Sequence, residues 1–319
     1  INQIVLQHGH QLIGKKKDEG LSASCDSFVV ETDVHYPTDI NLLFDAMRKV
    51  IVLIMALCDD LGVSGWRKGI YNLKKVKRYF RHAQQLKRST SKDKTKRAKR
   101  EQLIIAAHMA YVELANSFID RAKETISSIS STNFMDNLRI TEIRKYIAHA
   151  ERQMDQIRRR VVEGETIPHH EMVFSLFEEH TEWITKGKAG VSQELGLKVW
   201  VVIDQFGFIL HHRVMQKEMD DQIAVPIIKE TKERFPQLIS CTFDKGFHSP
   251  NNQKDLAVLL EKVILPRKGN LSAINKEIEN SEEFKEARRK HSAIESSINA
   301  LENHGLDRCL DHGINSAIK

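Results

Sequence analysis

Apolar residues recur along this chain at two different spacings, and each change of spacing marks a new element. Over residues 24–34 the spacing is two, which predicts a strand with Asp26, Phe28 and Val30 on one face. Residues 1–20 precede this strand and are predicted to form a short helix with a basic exit. The chain therefore opens as a helix that leads into a strand.

After this strand the spacing becomes helical over a long region. Thr38 or Asp39 can accept the first free N–H groups of a helix that begins there. Residues 89–99 carry almost no apolar residue and predict a mobile basic loop. Two apolar series at spacings of three and four then follow: Ile104, Ala107, Tyr111, Leu114 and Phe118, and Ile140, Ile143, Ile147, Ala150, Met154, Ile157 and Val161. They predict an antiparallel helical hairpin with a coiled-coil seam.

The C-terminal part alternates short apolar runs with helical patterns. Residues 197–203 and 208–214 are two β runs around a Gly-containing turn, which predicts a hairpin. The elements expected after it are a helix over 220–234, a strand over 238–243, a helix over 252–263, a strand over 263–265 and a helix over 281–301. A hairpin combined with later βαβ crossovers predicts a mixed sheet with helices on its faces.

Composition narrows the class of partner. The chain has 319 residues, a net charge of +6 and a pI of about 9.0, which favours a polyanion such as nucleic acid. No apolar run is long enough to span a bilayer, so no membrane partner is expected. Four cysteines without a CxxC pair are ordinary for a reducing cytoplasm. The chain begins with Ile and is expected to be a fragment cut at both ends.

Positive charge is concentrated in one stretch. Residues 67–100 hold fifteen Lys or Arg against one acid, Asp93. Such a run favours contact with a DNA backbone, because each neutralised phosphate releases counterions. A solvated charged face is the alternative interpretation.

Acidic residues at the ends of predicted elements are the candidates for chemistry. Asp244 directly follows the apolar run 238–243, where ligands bind in such sheets, and Gly246 is expected to allow a tight turn after it. Asp26 shares the apolar face of the first strand, and a partly buried carboxylate is costly unless it is paired or metal-bound. Asp33 is its competitor on the opposite face, whereas Asp39 is better explained as a helix cap.

Three segments resemble the signature motifs of bacterial insertion-sequence transposases of the DDE type. They are Asp26-Ser27-Phe28-Val29-Val30-Glu31-Thr32, Phe243-Asp244-Lys245-Gly246-Phe247-His248-Ser249 and His291-Ser292-Ala293-Ile294-Glu295. They resemble, in that order, the first-aspartate strand, the second-aspartate motif and the glutamate helix of this family. Residues 180–188 and the hairpin over 197–214 also fit, so the resemblance covers nearly the whole chain.

The resemblance implies an α/β fold in which an RNase H-like mixed sheet with flanking helices is interrupted by a large all-helical insertion. Residues 1–20 would end an N-terminal helical region. Residues 21–60 and 173–319 would form the two parts of the RNase H-like catalytic core, and residues 61–172 the basic helical insertion.

The resemblance also implies a DNA transposase that cleaves phosphodiester bonds and transfers strands at insertion-sequence ends. Asp26, Asp244 and Glu295 would be catalytic and would hold two Mg²⁺ ions, for which Mn²⁺ can substitute. The partners would be double-stranded DNA, as terminal inverted repeats and as target, and a second copy of the chain in a homodimer assembled on DNA. The protein would be cytoplasmic and associated with the nucleoid of a prokaryote.

Fourteen cations are expected to contact DNA. They are Lys74, Lys75, Lys77, Arg78, Arg81, Lys87, Arg88, Lys96, Arg97, Lys186, Lys188, Lys245, Arg267 and Lys268. Those near predicted strand ends are expected to bind phosphates beside the metal ions.

The glutamate motif departs from the family pattern. Many relatives carry Tyr and Arg before the Glu and a Lys seven residues after it, whereas here His291 stands four before Glu295 and Glu302 seven after it. Two alternative functions stay open: an RNase H-like nuclease without strand transfer, and a truncated, inactive transposase remnant that still binds DNA.

Overall fold

The structure is a computed structural model that describes residues 2–16, 19–130, 133–185 and 193–317, and it divides into two units. One unit comprises Ile1–Asp33 with His180–Lys319, and the other comprises Val34–Glu179. The first contains a mixed seven-stranded sheet flanked by helices, and the second is helical. The predicted α/β class with a mixed sheet is therefore confirmed.

The helices and strands have the following bounds in chain order: α1 (Asn2–Leu12), β1 (Leu21–Thr32), α2 (Asp39–Asp60), α3 (Gly69–Gln85), α4 (Lys94–Ser128), α5 (Phe134–Val161), β2 (Glu182–Thr185), β3 (Gln193–Asp204), β4 (Ile209–Val214), α6 (Asp220–Arg234), β5 (Leu238–Phe243), α7 (Pro250–Leu259), β6 (Lys262–Ile264), α8 (Ala273–Asn280), α9 (Glu282–Leu301), β7 (Arg308–Cys309) and α10 (Ile314–Ala317).

The sheet is built around β1. Its strand order is β2-β3-β1-β5-β6, with β4 paired to β3 and β7 paired to β1. β1 runs antiparallel to β3 and parallel to β5, and β5 runs parallel to β6. The first strand of the chain therefore lies in the middle of the sheet, between strands that follow the helical segment.

The two faces of β1 are buried against different helices, as the alternation of side chains in a strand requires. Leu21, Ala23 and Cys25 belong to the apolar core that contains buried residues of α6 and α7. Phe28 belongs to a second, smaller core with Ile294 and Ile298 of α9. The face that carries Phe28 is thus the face covered by α9.

The helical unit has its own apolar core, to which α2 contributes a continuous buried stripe from Leu42 to Cys58. The Thr38 side chain caps α2 by accepting from the backbone N–H of Asn41. Asp39, the other candidate, is the first residue of the helix, so its interpretation as the cap was wrong. The apolar series of α5 packs more extensively against α2 than against α4, so its seam belongs to a bundle rather than to a two-helix hairpin alone. This packing groups α2 with the helical unit, whereas the sequence-based division placed residues 21–60 in the core.

The basic stretch before α4 differs from its prediction as a loop over residues 89–99. Asp93 accepts from the backbone N–H groups of Thr95 and Lys96, so α4 begins at Lys94 and the second half of the predicted loop is helical.

Among the helices of the described ranges, none offers an apolar stretch long enough to cross a lipid bilayer.

Candidate active site

Two of the three predicted catalytic carboxylates lie at neighbouring positions on the sheet. Cys25 of β1 pairs with Phe243 of β5 in a parallel register. The next residues of the two strands, Asp26 and Asp244, are therefore adjacent at the carboxyl end of β5. Asp26 is half-buried and Asp244 is exposed. Ligands of α/β proteins commonly bind at this edge of a sheet.

The third predicted carboxylate, Glu295, is carried by the helix that covers the same face. The Nδ1 atom of His291 is hydrogen-bonded to Oγ1 of Thr242 at 2.9 Å, which fixes α9 to β5 one helical turn before Glu295. The pKa of His291 is lowered by burial, and the negative charges of Asp244 and Glu295 oppose this shift. Both carboxylates are therefore electrostatic neighbours of one histidine.

Asp220, a fourth carboxylate that the sequence did not single out, lies at the same edge. As the first residue of α6 it accepts from Oγ of Ser27 at 3.0 Å and from Nζ of Lys198 at 3.0 Å. Its Oδ2 lies 3.6 Å, and that of Asp244 3.8 Å, from the point where a Cβ on Gly246 would stand. Two carboxylates thus approach Gly246.

The pKa of the buried Cys25 thiol is also affected by the negative charges of these carboxylates. Burial raises its pKa well above the usual range, and the charges of Cys241, Asp26, Asp220 and Asp244 raise it further. Three carboxylates therefore contribute negative charge near this buried thiol.

The loop that follows Asp244 is a short 3-10 turn held by side chains. The Asn252 amide donates to the carbonyl oxygens of Asp221 at 2.6 Å and Phe247 at 2.8 Å, so the turn is fastened to the start of α6. The tight turn expected at Gly246 is present, but Gly246 does not adopt a positive φ, so the conformation of the turn does not itself require a glycine.

A group of bases borders the carboxylates. Lys245 follows Asp244 directly and is exposed, and Nζ of Lys268 donates to the carbonyl oxygen of Gly246 at 2.7 Å. The backbone N–H of Lys268 also donates to Nδ1 of His248 at 3.3 Å. Burial lowers the pKa of His248, and the positive charges of Arg267, Lys268 and Lys245 lower it further. Three predicted DNA-binding cations therefore lie around the turn that follows Asp244.

The competing acids have other partners. Asp33 forms an ion pair with Arg308 at 3.7 Å, and Asp39 forms one with Arg160 at 2.8 Å. Burial raises the pKa of Asp39, and Arg160 opposes that rise. Glu302 lies just past the last residue of α9. These contacts give Asp33 and Asp39 structural roles.

The donor types at this edge fit Mg²⁺, which prefers carboxylate oxygens. However, no three His, Cys, Asp or Glu side chains in the described ranges are already grouped as the ligands of one metal ion. Asp26, Asp244 and Glu295 would therefore have to come closer together to hold one ion jointly.

The remaining predicted DNA contacts lie in the helical unit. Lys74, Lys77, Arg78 and Arg81 recur at helical spacing on the exposed side of α3, opposite its buried Val76. Lys75 of α3 is half-buried, whereas Lys87, Arg88, Lys96 and Arg97 are exposed. Lys186 and Lys188 lie outside the described residues.

Comparison of the chain with protein-family models, curated proteins and solved structures finds no match.

Proposed function

We propose that this protein is a transposase of the DDE type, an enzyme that cuts and joins DNA on an RNase H-like core. The observation that supports the proposal is that two of the three carboxylates continue paired strands and the third is carried by the helix that covers this side of the sheet. Asp26 and Asp244 are adjacent on paired strands, and Glu295 lies on the helix that is hydrogen-bonded to the second of these strands. The order and spacing of the three sequence motifs agree with this placement.

Asp26, Asp244 and Glu295 would hold two Mg²⁺ ions, or Mn²⁺ in their place. Their negative charge, increased by Asp220, is suited to a divalent cation, and hydrogen bonds orient Asp220 itself. When bound, two such ions activate an attacking hydroxyl and stabilise a leaving oxygen in phosphodiester cleavage. The carboxylates supply the hard oxygen donors and the geometry for that chemistry.

The bases beside Asp244 would bind the phosphates that flank the scissile bond. Lys245, Arg267 and Lys268 provide positive charge around the turn that follows Asp244, which favours the approach of a DNA strand to the carboxylates. The contact between Lys268 and the Gly246 carbonyl oxygen holds this group against the turn that follows Asp244. These residues would position the substrate rather than react with it.

The helical unit would bind the DNA backbone through α3. No ion pair joins Lys74, Lys77, Arg78 or Arg81 to an acidic side chain in the part of the chain that the structure describes. Arg159 of α5, by contrast, pairs with Asp155, Glu165 and Glu171. A basic helix face without internal counterions suits a polyanion, which here would be terminal-repeat or target DNA. Assembly of a homodimer on DNA in a prokaryotic nucleoid belongs to the same proposal.

The proposal is tested by cleavage of labelled duplexes from the DNA that flanks the gene, with Mg²⁺ or Mn²⁺. Asp244→Asn and Glu295→Gln keep the side-chain shape but remove the negative charge. We expect each to lower metal-dependent nicking at least about a hundredfold, which corresponds to a loss of about 2.7 kcal/mol of transition-state stabilisation. Asp255→Asn is the matched control, because Asp255 is exposed on α7, and it should nick like the wild type.

The outcomes separate the three candidate functions. Nicking that is lost in the site variants, together with joined products, supports a transposase. Nicking without joined products under the same conditions favours a nuclease. Equal nicking by Asp244→Asn and the wild type removes Asp244 from the site and refutes the mechanism. Salt-sensitive DNA binding without nicking by any variant favours an inactive remnant.

A further inference from the structure

A chain of three hydrogen-bonding side chains connects the elements that carry the candidate carboxylates. Oγ of Ser24 on β1 is 2.8 Å from Oγ1 of Thr242 on β5, and Oγ1 of Thr242 is 2.9 Å from Nδ1 of His291 on α9. Ser24 and Thr242 are Cα partners in the parallel register. These two hydrogen bonds therefore join two neighbouring strands and the helix above them.

Each of these three hydrogen-bonded side chains precedes a candidate carboxylate by one repeat of its own strand or helix. Ser24 and Thr242 precede Asp26 and Asp244 by two residues, the repeat of a strand. His291 precedes Glu295 by four residues, about one turn of a helix. Residues one repeat apart share a face, so the three hydrogen-bonded side chains and the three carboxylates form two successive layers on one side of the sheet.

Apolar packing alone holds only part of α9 against the sheet. Ile294 and Ile298 pack with Phe28, Val201 and Ile203. Along α9 from Glu283 to Ser297, a cavity of about 490 Å³ lies between one side of the helix and the sheet. It is bordered by polar residues such as Ser22, Ser240, Glu286 and Lys290. Because close packing is what usually fixes a helix on a sheet, the helix is less constrained on that side.

We propose that His291 is a positioning residue: its bond to Thr242 sets the rotation and height of α9 and so places Glu295 against Asp26 and Asp244. This inference rests on the proposed function for its catalytic consequence, but the orientation of α9 is a property of the protein alone. Thr242 lines this cavity, so the bond connects α9 to the sheet beside the loosely packed region and resists rotation of the helix about its axis. Side chains that orient metal ligands in this way commonly change metal affinity when they are replaced.

The test compares variants that remove the bond with one that keeps it. Thr242→Val and His291→Phe preserve most of the volume and lose the hydrogen bond, whereas His291→Asn retains a polar atom near the position of Nδ1. Thr231→Val is the matched control, because Thr231 donates a hydroxyl hydrogen bond to the carbonyl oxygen of Ile227 within α6. All variants are made in the full chain.

The first readout is hydrogen exchange of the α9 amides without metal. Thr242→Val and His291→Phe should each speed exchange over residues 288–298 about five- to tenfold, as expected for one lost hydrogen bond. The double variant should be no faster than either single one, because both remove the same interaction. His291→Asn and Thr231→Val should leave exchange over these residues near the wild-type rates. Unchanged or additive exchange in the double variant overturns the inference.

The second readout is Mn²⁺ binding in the absence of DNA, measured from the paramagnetic resonance signal of free Mn²⁺. Thr242→Val and His291→Phe should weaken binding about tenfold, and His291→Asn should restore most of it. Wild-type affinity in His291→Phe, despite faster exchange, would make the bond merely structural and overturn the positioning role. A wild type that neither binds Mn²⁺ nor cuts DNA refutes the proposed function, and the exchange pattern then decides on its own whether His291 orients α9.

Discussion

Gly196 is the point at which the backbones of β3 and β1 come so close that no side chain fits. It pairs with Glu31 in the antiparallel register. A Cβ at this position would lie 2.1 Å from the carbonyl oxygen of Val30 and 2.9 Å from Cα of Glu31. Both obstacles are backbone atoms of the central strand and cannot rotate away. The pairing of β1 with β3, which places Asp26 in the sheet, therefore depends on this glycine.

Gly196→Ala is expected to destabilise the sheet unit by about 3 kcal/mol, because the two strands must separate or bend to admit a methyl group. The measurement is the free energy of unfolding in urea, followed by circular dichroism and by tryptophan fluorescence, to which buried Trp200 of β3 contributes. Gly246→Ala is the matched control: its Cβ would meet nothing closer than 3.6 Å, so the change should stay within about 1 kcal/mol. Equal stabilities of the two variants would contradict the close approach at Gly196.

At the scale of elements, the cations of the helical unit fall into two groups: those that form ion pairs with acidic side chains and those that do not. Lys123 and Lys145 form ion pairs with Glu151 and Glu179. The cations on the outer side of α3 form none within the described ranges of the chain. Paired cations are already neutralised and release few counterions on binding DNA, whereas unpaired ones release them fully. Whether its cations already form ion pairs, rather than their exposure alone, should therefore decide which helix contacts DNA.

Two matched double variants test this difference. Lys74→Gln with Lys77→Gln should weaken binding to duplex DNA and reduce the slope of log K against log salt by about 2, at roughly 0.9 per lost phosphate contact. Lys123→Gln with Lys145→Gln makes the same chemical change on paired cations of the same unit and should leave the slope nearly unchanged. Titrations by fluorescence anisotropy at several salt concentrations measure both. A larger loss of slope in the second variant would place the DNA contact elsewhere.

Elements with strong local signals could be predicted from the sequence. α6 and β5 occupy the predicted ranges, and one of the two candidates, Thr38, caps α2, because periodicity and capping are local properties. The short strands β2 and β7 were missed, since strands of a few residues are specified by their partners in the sheet rather than by their own pattern. The seam of α5 was predicted, but not that α2 covers most of it, because that choice is tertiary.

The same distinction applies to the candidate site. Asp244 could be singled out because an acid at the end of an apolar strand is visible in the sequence. Asp220 could not, since an acid at the first position of a helix usually only complements the helix dipole. Its contacts with Ser27 and Lys198 join residues far apart in the chain and appear only in the fold. The bond between His291 and Thr242 was equally invisible, because it connects a helix to a distant strand.

At the scale of the whole molecule, the chain folds as two units, one formed by a single segment of the sequence and the other by two separate segments. The helical unit is one uninterrupted segment, Val34–Glu179, with a core of its own that includes Leu43, Ile54 and Ile147. The sheet unit is discontinuous: β1 precedes this segment, and β2 to β7 follow it. Since β1 lies between β3 and β5, the sheet unit can close only when both parts of the chain are present.

This difference predicts opposite behaviour for two fragments. Residues 34–179 produced alone should be helical and unfold cooperatively in urea, because all the members of their apolar core are included. Residues 180–319 alone should lack a cooperative transition, because β3 and β5 lose the central strand that joins them and each exposes an unpaired edge. Addition of a peptide that covers residues 19–33 should restore order to the second fragment, read as the appearance of protected β3 amides in hydrogen exchange. A cooperative transition in residues 180–319 without the peptide would show that β1 is dispensable, and the adjacency of Asp26 and Asp244 would then not be built into the folding of the sheet.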